Sequence, residues 1–304
     1  MAELRSLQVP NPIISCVIPC RDPETDPYLP DLISSIKAQD FPQDKIEILV
    51  ISEGDSEQAK GIGIKRAKGE IIGMFCADNE ITSRFLFSNV YQTINCGAVA
   101  TYPARYDYKK SDNSLNRYFS LIGGNDPICY YLGKNDRVTW VDSLNIYSDY
   151  QPSYGCNGFF YKTEAIKATN LDNYYPMDNA LEVKGKFVVL DCAWIWHKTS
   201  DNLITFLMKR YRYARDLYSD RDDRRWKMLD TKEDYWKLCL FALSTITVVQ
   251  PLLVSLQGFR RFRDWAWFWH WPVCFGFLIT YSILAFRNLF KHGNLFQVRC
   301  QPAV

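Results

Sequence analysis

Residues 71–77 form an apolar run that stops at two carboxylates, Asp78 and Glu80, one residue apart. Seven residues suffice for a buried strand and are too few for a typical helix. A strand that is apolar on both faces belongs to a parallel α/β sheet covered by helices on each side. Asp78 and Glu80 then lie just past the carboxyl end of that strand, where open α/β sheets place their ligands. Side chains two apart on an extended segment point the same way, so both can face one divalent cation. Taken alone, the same D-x-E pattern also fits a solvated turn.

The preceding residues supply the rest of such a sheet. Residues 13–19 (IISCVIP) read as a first buried strand, stopped by Pro19, which cannot donate to a ladder. Asp31 opens a helical pattern carried by Leu32, Ile33, Ile36 and Ala38. Residues 45–52 read as a second strand that delivers Glu53-Gly54-Asp55-Ser56 to the same edge, and residues 58–68 as a helix ended by Gly69. This β-α-β-α-β order in under 80 residues predicts a parallel sheet with right-handed crossovers. Gly61-Ile62-Gly63 is no dinucleotide fingerprint, because it lacks a third glycine and sits inside a helical pattern. Further on, residues 84–95 read as helix and 98–102 as strand. Residues 106–149, polar, aromatic and rich in turn formers, read as a binding loop or lid. Short strands are expected at 159–161 and 187–190, then the aromatic strand Trp194-Ile195-Trp196 before His197. A helix follows over 201–218, whose Lys209, Arg210, Arg212 and Arg215 alternate with apolar residues as in helices that lie on anionic membranes.

Charge is nearly balanced, 36 Lys and Arg against 34 Asp and Glu, so bulk nucleic-acid binding is not expected. The ten cysteines form no CxxC pair; Cys16, Cys20, Cys76 and Cys192 lie in apolar runs, like small buried hydrophobes of a reducing compartment. Residues 1–8 show no cleavable leader pattern. The last third differs in kind, with uncharged runs at 238–256 and 265–286, each long enough as a helix to cross roughly 30 Å of hydrocarbon. Trp265, Trp267, Trp269 and Trp271 resemble an interfacial aromatic belt. The positive-inside rule favours a hairpin with both ends and the globular part on the cytosolic face, although Arg260, Arg261 and Arg263 then fall outside, and Gln250-Pro251 also allows a re-entrant first run. The expected organisation is a catalytic domain over 1–218, a basic linker over 219–237, a two-helix membrane hairpin over 238–286 and a cytosolic tail over 287–304.

With these pieces in order, the chain resembles the family-two glycosyltransferases of the GT-A fold, in their membrane-bound form. The resemblance rests on Val17-Ile18-Pro19-Cys20-Arg21, on Ser52-Glu53-Gly54-Asp55-Ser56, on the run from Ala59 through Glu70, and on Ala77-Asp78-Asn79-Glu80. It extends more loosely to about residue 218. It implies a Rossmann-like, mostly parallel α/β catalytic domain followed by two transmembrane helices. It also implies a nucleotide-sugar donor, bound by Pro19, Arg21, Glu53, Lys60 and Asp78, and Mg²⁺ or Mn²⁺ held by Asp78, Glu80 and His197. The family usually has Asp where Glu53 and Glu80 stand. Asp178 matches the catalytic base that deprotonates an acceptor hydroxyl, and one base without a nucleophile implies inversion; by itself, Asp178 also fits a helix N-cap. Gly155, Asn157 and Arg210 are assigned to the acceptor side.

The leading expectation is therefore transfer of a sugar to a hydroxyl of a lipid-linked or envelope-glycan acceptor at a membrane. A polyprenyl-phosphate acceptor is the alternative within enzymes and leaves Asp178 without a proton to remove. A membrane-tethered binding protein on a degenerate transferase fold is the alternative from another class.

Overall fold

The computed structural model describes Leu7 and residues 9–124, 126–134, 146–147, 157–172, 174–192, 194–219 and 224–292. The first half follows the apolar pattern closely. Strand β1 (Ile14–Pro19), helix α1 (Leu29–Lys37), β2 (Ile46–Ile51), α2 (Ser56–Arg66) and β3 (Ile71–Met74) alternate in that order. Pro30 starts α1 with its fixed φ, and Asp55 caps α2 in a reciprocal box with Gln58. Then come β4 (Asn79–Ile81), α3 (Leu86–Asn95), β5 (Ala98–Pro103), α4 (Ser114–Ile122), α5 (Pro127–Leu132), β6 (Ile146–Tyr147), β7 (Phe159–Lys162), α6 (Thr163–Lys167), α7 (Pro176–Glu182), β8 (Lys186–Leu190) and β9 (Ile195–His197). The C-terminal part is helical: α8 (Leu203–Ser219), α9 (Lys232–Ile246), α10 (Val249–Arg261), a 3₁₀ turn (Trp265–Trp269) and α11 (His270–His292).

Among the described residues the main sheet has the order β2-β1-β3-β7-β5-β8-β6. Strands β2, β1, β3, β5 and β8 run one way; β7 and β6 run against them. The sheet is thus mostly parallel, as expected, with one reversed strand near its centre. Helices α1 and α3 cover one face, burying Leu32, Ile36, Phe87 and Val90 against Ile14, Cys16, Phe75 and Phe160. Helix α2 covers the other with Ala59 and Ile64 against Val17, Leu49 and Ile72. The Gly61-Ile62-Gly63 step serves this packing: a Cβ on Gly63 would meet Val17 Cγ1 at 2.3 Å. Cys16, Cys20 and Cys192 are buried, and burial pushes the Cys16 and Cys20 thiols up.

Two expectations need correction. Residues 106–149 are not simply a loop or lid, because they contain α4 and α5, while 135–145 and 148–150 lie outside the described residues. Leu115, Tyr118, Phe119 and Ile122 recur at helical spacing and are buried against the C-terminal helices. The apolar run 238–256 is not one straight helix either. It is divided between α9 and α10, which are bent by 83° where Val248 takes positive φ. Among the described residues, one helix, Trp265–Arg287, is long and apolar enough by itself to cross a membrane.

Candidate functional site

The chain leaves β3 with an apolar turn and immediately forms β4, which pairs antiparallel with β9. Register puts Asn79 opposite His197 and Glu80 opposite Trp196, and Lys198 donates its backbone N–H to the Asp78 carbonyl at 2.9 Å. This small sheet, and not β3 alone, builds the site. His197 Nε2 lies 3.4 Å from Asp78 Oδ1, and Lys209 of α8 approaches Asp78 Oδ2 at 3.9 Å. Burial alone would raise the Asp78 carboxyl, but His197 and then Lys209 outweigh it and hold the group below the usual aspartate range. Asp78 Oδ1 and His197 Nδ1 are both buried without a hydrogen-bond partner. Buried polar atoms are rarely left so, although Asp78 Oδ1 keeps its ion-pair contact with His197 Nε2.

A buried polar chain fixes the turn that presents Asp78. Cys76 donates its backbone N–H to Asn79 Oδ1 (2.9 Å), Asn79 Nδ2 to Asn157 Oδ1 (3.1 Å), and Asn157 Nδ2 to Tyr106 Oη (2.7 Å). The Tyr106 ring lies 5.4 Å from that of His197. Gly158 lets this connection close: its φ is +73°, and a Cβ there would meet Ile195 Cγ1 at 2.7 Å. Asn157, expected on the acceptor side, thus also orients the acidic motif through Asn79. Gly155, its expected companion, lies outside the described residues.

Glu80 does not join Asp78 and His197. Its carboxylate pairs with Lys109, whose ammonium also sits 4.2 Å over the Trp196 ring. Among the described residues no three His, Cys, Asp or Glu side chains cluster closely enough to hold a metal ion. Asp78 and His197, whose Oδ1 and Nε2 face each other at 3.4 Å, fit a cation as two donors, a carboxylate oxygen and an imidazole. The three-residue set does not assemble. Mg²⁺ and Mn²⁺ accept this, since such ions take much of their coordination from phosphate and water.

The remaining assignments separate. Pro19 ends β1 at the sheet edge, and Arg21 is exposed just beyond it. Glu53 is exposed and gripped at both oxygens by Arg66 (2.8 Å each), which holds its carboxyl down. Lys60 is buried in α2 and pairs with Glu57 at 2.9 Å. Arg210 is turned away from the acidic motif, into the seam between α8 and α11. There it approaches Asp126 Oδ2 at 3.8 Å, and Tyr281 donates its hydroxyl to the same oxygen. Asp178 is buried on the first turn of α7 and does not act as the N-cap, which is Tyr175. One oxygen accepts the backbone N–H of Trp226; the other is buried without a partner. Burial raises its carboxyl, against the nearby Arg224 and Arg225. Asn79, Tyr106 and Lys109 carry no motif signal in the sequence; Asn79 is identified by its bond to Asn157, Tyr106 by accepting from Asn157, and Lys109 by its ion pair with Glu80.

No protein-family model matches the chain, and no curated protein matches it in sequence. Solved structures do. A mannosyltransferase of Pyrobaculum calidifontis, PcManGT, in complex with GDP-Man and Mn²⁺, is 14% identical with a TM-score of 0.50, over 93% of this chain and 88% of that one. The chain shares the fold of that mannosyltransferase. S. aureus TarS 1–349 in complex with UDP-GlcNAc also aligns, at 14% identity and a TM-score of 0.41, over 90% of this chain and 83% of that one.

Proposed function

We propose that the chain is an inverting, metal-dependent glycosyltransferase that moves a sugar from a nucleotide-sugar donor to a hydroxyl of a lipid-linked or envelope-glycan acceptor. The observation that carries the reading is the pairing of β4 with β9, which seats Asp78 beside His197 and Lys209 at the end of the parallel strands. A carboxylate held below its usual range, with Oδ1 hydrogen-bonded to nothing and paired only with His197, is suited to a cation shared with a diphosphate. Asp78 and His197 would hold Mg²⁺ or Mn²⁺, which when bound neutralises charge developing on the departing nucleoside diphosphate. Lys209 adds a second positive group on the same side. The donor class is carried over from the mannosyltransferase, whose bound GDP-Man is a nucleoside diphosphate sugar.

Asp178 supplies the base. The acceptor hydroxyl must lose its proton as its oxygen attacks the anomeric carbon, and a carboxylate positioned for this contributes about 10²–10⁴-fold. Burial that raises the carboxyl brings its proton affinity nearer that task. With no second carboxylate acting as nucleophile, displacement is direct and the anomeric centre inverts. Membrane attachment is assigned to the apolar helices α9–α11.

Arg224 and Arg225 beside Asp178 favour a second reading, in which the acceptor is a polyprenyl phosphate. An anionic acceptor would be attracted there and would need no base. Screening nucleotide sugars for binding, then measuring kcat and donor Kd for wild type and Asp178→Asn, tests both. A kcat loss well beyond tenfold at constant Kd supports the hydroxyl acceptor. A smaller loss moves the assignment to the phosphate. Absence of binding by every nucleotide sugar overturns the transferase reading itself.

A further inference from the structure

The apolar helices do not stand apart from the catalytic body. The inner side of α11 is in contact with it along most of its length. His270 bonds Tyr118 of α4 (2.8 Å) and Tyr131 of α5 (3.1 Å), Leu207 of α8 packs directly on Gly276, and Arg287 donates to Tyr211 of α8 (2.6 Å). Between the first and last of these contacts α11 rises about 26 Å, nearly a full hydrocarbon thickness. Helix α8 runs beside it in the same direction and exposes Lys209, Arg212 and Arg215. Standing α11 upright across a bilayer would therefore drag these charges into hydrocarbon, where each is strongly unfavourable. Helices α9 and α10, about 22 and 20 Å long, are too short to cross, and their 83° bend prevents them from acting together as one straight span.

The exposed side of the layer has a different character. Trp271, Phe275, Ile279, Ile283 and Phe286 form one stripe along α11, spaced three or four residues apart. Helix α9 exposes Trp236, Leu240 and Leu243; α10 exposes Leu252, Leu253 and Leu256. Basic residues accompany them, fourteen Lys and Arg against eight Asp and Glu between residues 203 and 287. A two-span hairpin would leave Arg260, Arg261 and Arg263 on the far side of the membrane. In a layer lying flat they remain among headgroups on the near side, as in amphipathic helices that rest in the interface.

We propose that α9–α11 lie in the plane of one leaflet of an anionic bilayer and cross it nowhere. Helix α8 then bridges two surfaces: Phe206 and Leu207 face the embedded layer, and Lys209 faces Asp78. The site opens at the headgroup level. Resting on the transferase reading above, this makes the acceptor a molecule presented by that leaflet, one with a lipid anchor.

The test adds the purified full chain to preformed sealed vesicles of phosphatidylcholine, with or without phosphatidylglycerol. Flotation measures binding, and a membrane-impermeant maleimide is read out by peptide mapping. Cys96, exposed on the globular body, is the internal reference. In Arg261→Cys and Lys291→Cys, both new thiols should label in sealed vesicles to the same extent as Cys96. Protection of position 291 until detergent is added would show that α11 crosses, and protection of 261 would restore the hairpin; either overturns the proposal. Vesicles with phosphatidylglycerol should bind roughly tenfold or more tightly than those without. Equal binding, or no flotation, would overturn the anionic-leaflet assignment. Titration with GDP-mannose and UDP-glucose in the same preparation reads the donor site separately, so that loss of docking is not mistaken for loss of the transferase reading.

Discussion

Two consecutive residues of α8 meet two carboxylates, and the outcomes are opposite. Lys209 approaches Asp78 at 3.9 Å, and Arg210 approaches Asp126 at 3.8 Å. Both acids are largely withdrawn from water. At Asp78, burial is outweighed by His197 and Lys209, and the carboxyl is held below its ordinary range. At Asp126, burial prevails over Arg210 and over the hydrogen bonds from Tyr281 and Ile128, and the carboxyl is raised. The two also differ in what they leave unused. Asp126 has a hydrogen-bond donor on each oxygen, whereas Asp78 Oδ1 makes no hydrogen bond and has only the ion-pair contact with His197 Nε2 at 3.4 Å. A carboxylate saturated at a helix seam suits a structural tie; one held ionised by an ion pair alone suits the binding role proposed for Asp78. Distance to a cation does not distinguish them.

The comparison breaks most visibly at Asp78. Asp78→Asn removes the charge but little volume, so turnover should fall to the uncatalysed background while the melting temperature barely changes. Donor turnover with added Mn²⁺ and a melting curve check this. Full activity of the variant in EDTA would return Asp78 to the class of structural ties. Asp178, which also keeps one buried oxygen without a partner, belongs with Asp78 on this criterion. Asp178→Asn should lower kcat by about 10²–10⁴ while leaving donor Kd within a few-fold, since a base acts only as the proton moves.

Arg210→Met should have the reverse profile, a stability loss on the order of 1–3 kcal/mol with donor Kd unchanged. Denaturant unfolding and donor titration on the same preparation measure both. Smallest is Lys209→Gln, expected to weaken donor binding by roughly threefold to tenfold, with the difference shrinking as salt is added because this lysine is largely exposed. The pH dependence of stability should separate the pair as well. Asp126, raised in the folded state, holds extra protons there, so its contribution falls as pH rises through its folded value. Asp78, lowered, releases protons on folding, so its contribution is lost as pH drops below the ordinary aspartate range. Asp126→Asn and Asp78→Asn should change the slope of stability with pH in opposite senses.

How much of this was legible beforehand depends on whether the cause was local. The strands at 14–19, 46–51 and 71–74 and the helices between them were readable because a buried parallel sheet demands continuous apolar runs, and an amphipathic helix demands its own period. Asp78 was readable for a related reason, as the first charge after such a run. Helices α4 and α5 were obscured by their aromatic and polar composition. Yet Asn113 caps α4 and Gly123 closes it in the left-handed region, and these signals stood in the chain.

The sequence by itself determined the alternation of strand and helix, the sheet edge that carries Asp78, and the apolar character of the last third. Each follows from neighbours three or four residues away. Only the tertiary structure decided which groups share a site. His197 reaches Asp78 through the register of β4 with β9; Glu80 is taken by Lys109; Arg210 is turned into the α8–α11 seam. These choices join residues far apart along the chain, and no periodicity records them. The same holds for the apolar layer, where length and composition allowed two crossings, and a bend at Val248 together with the charged helix beside α11 argues for none.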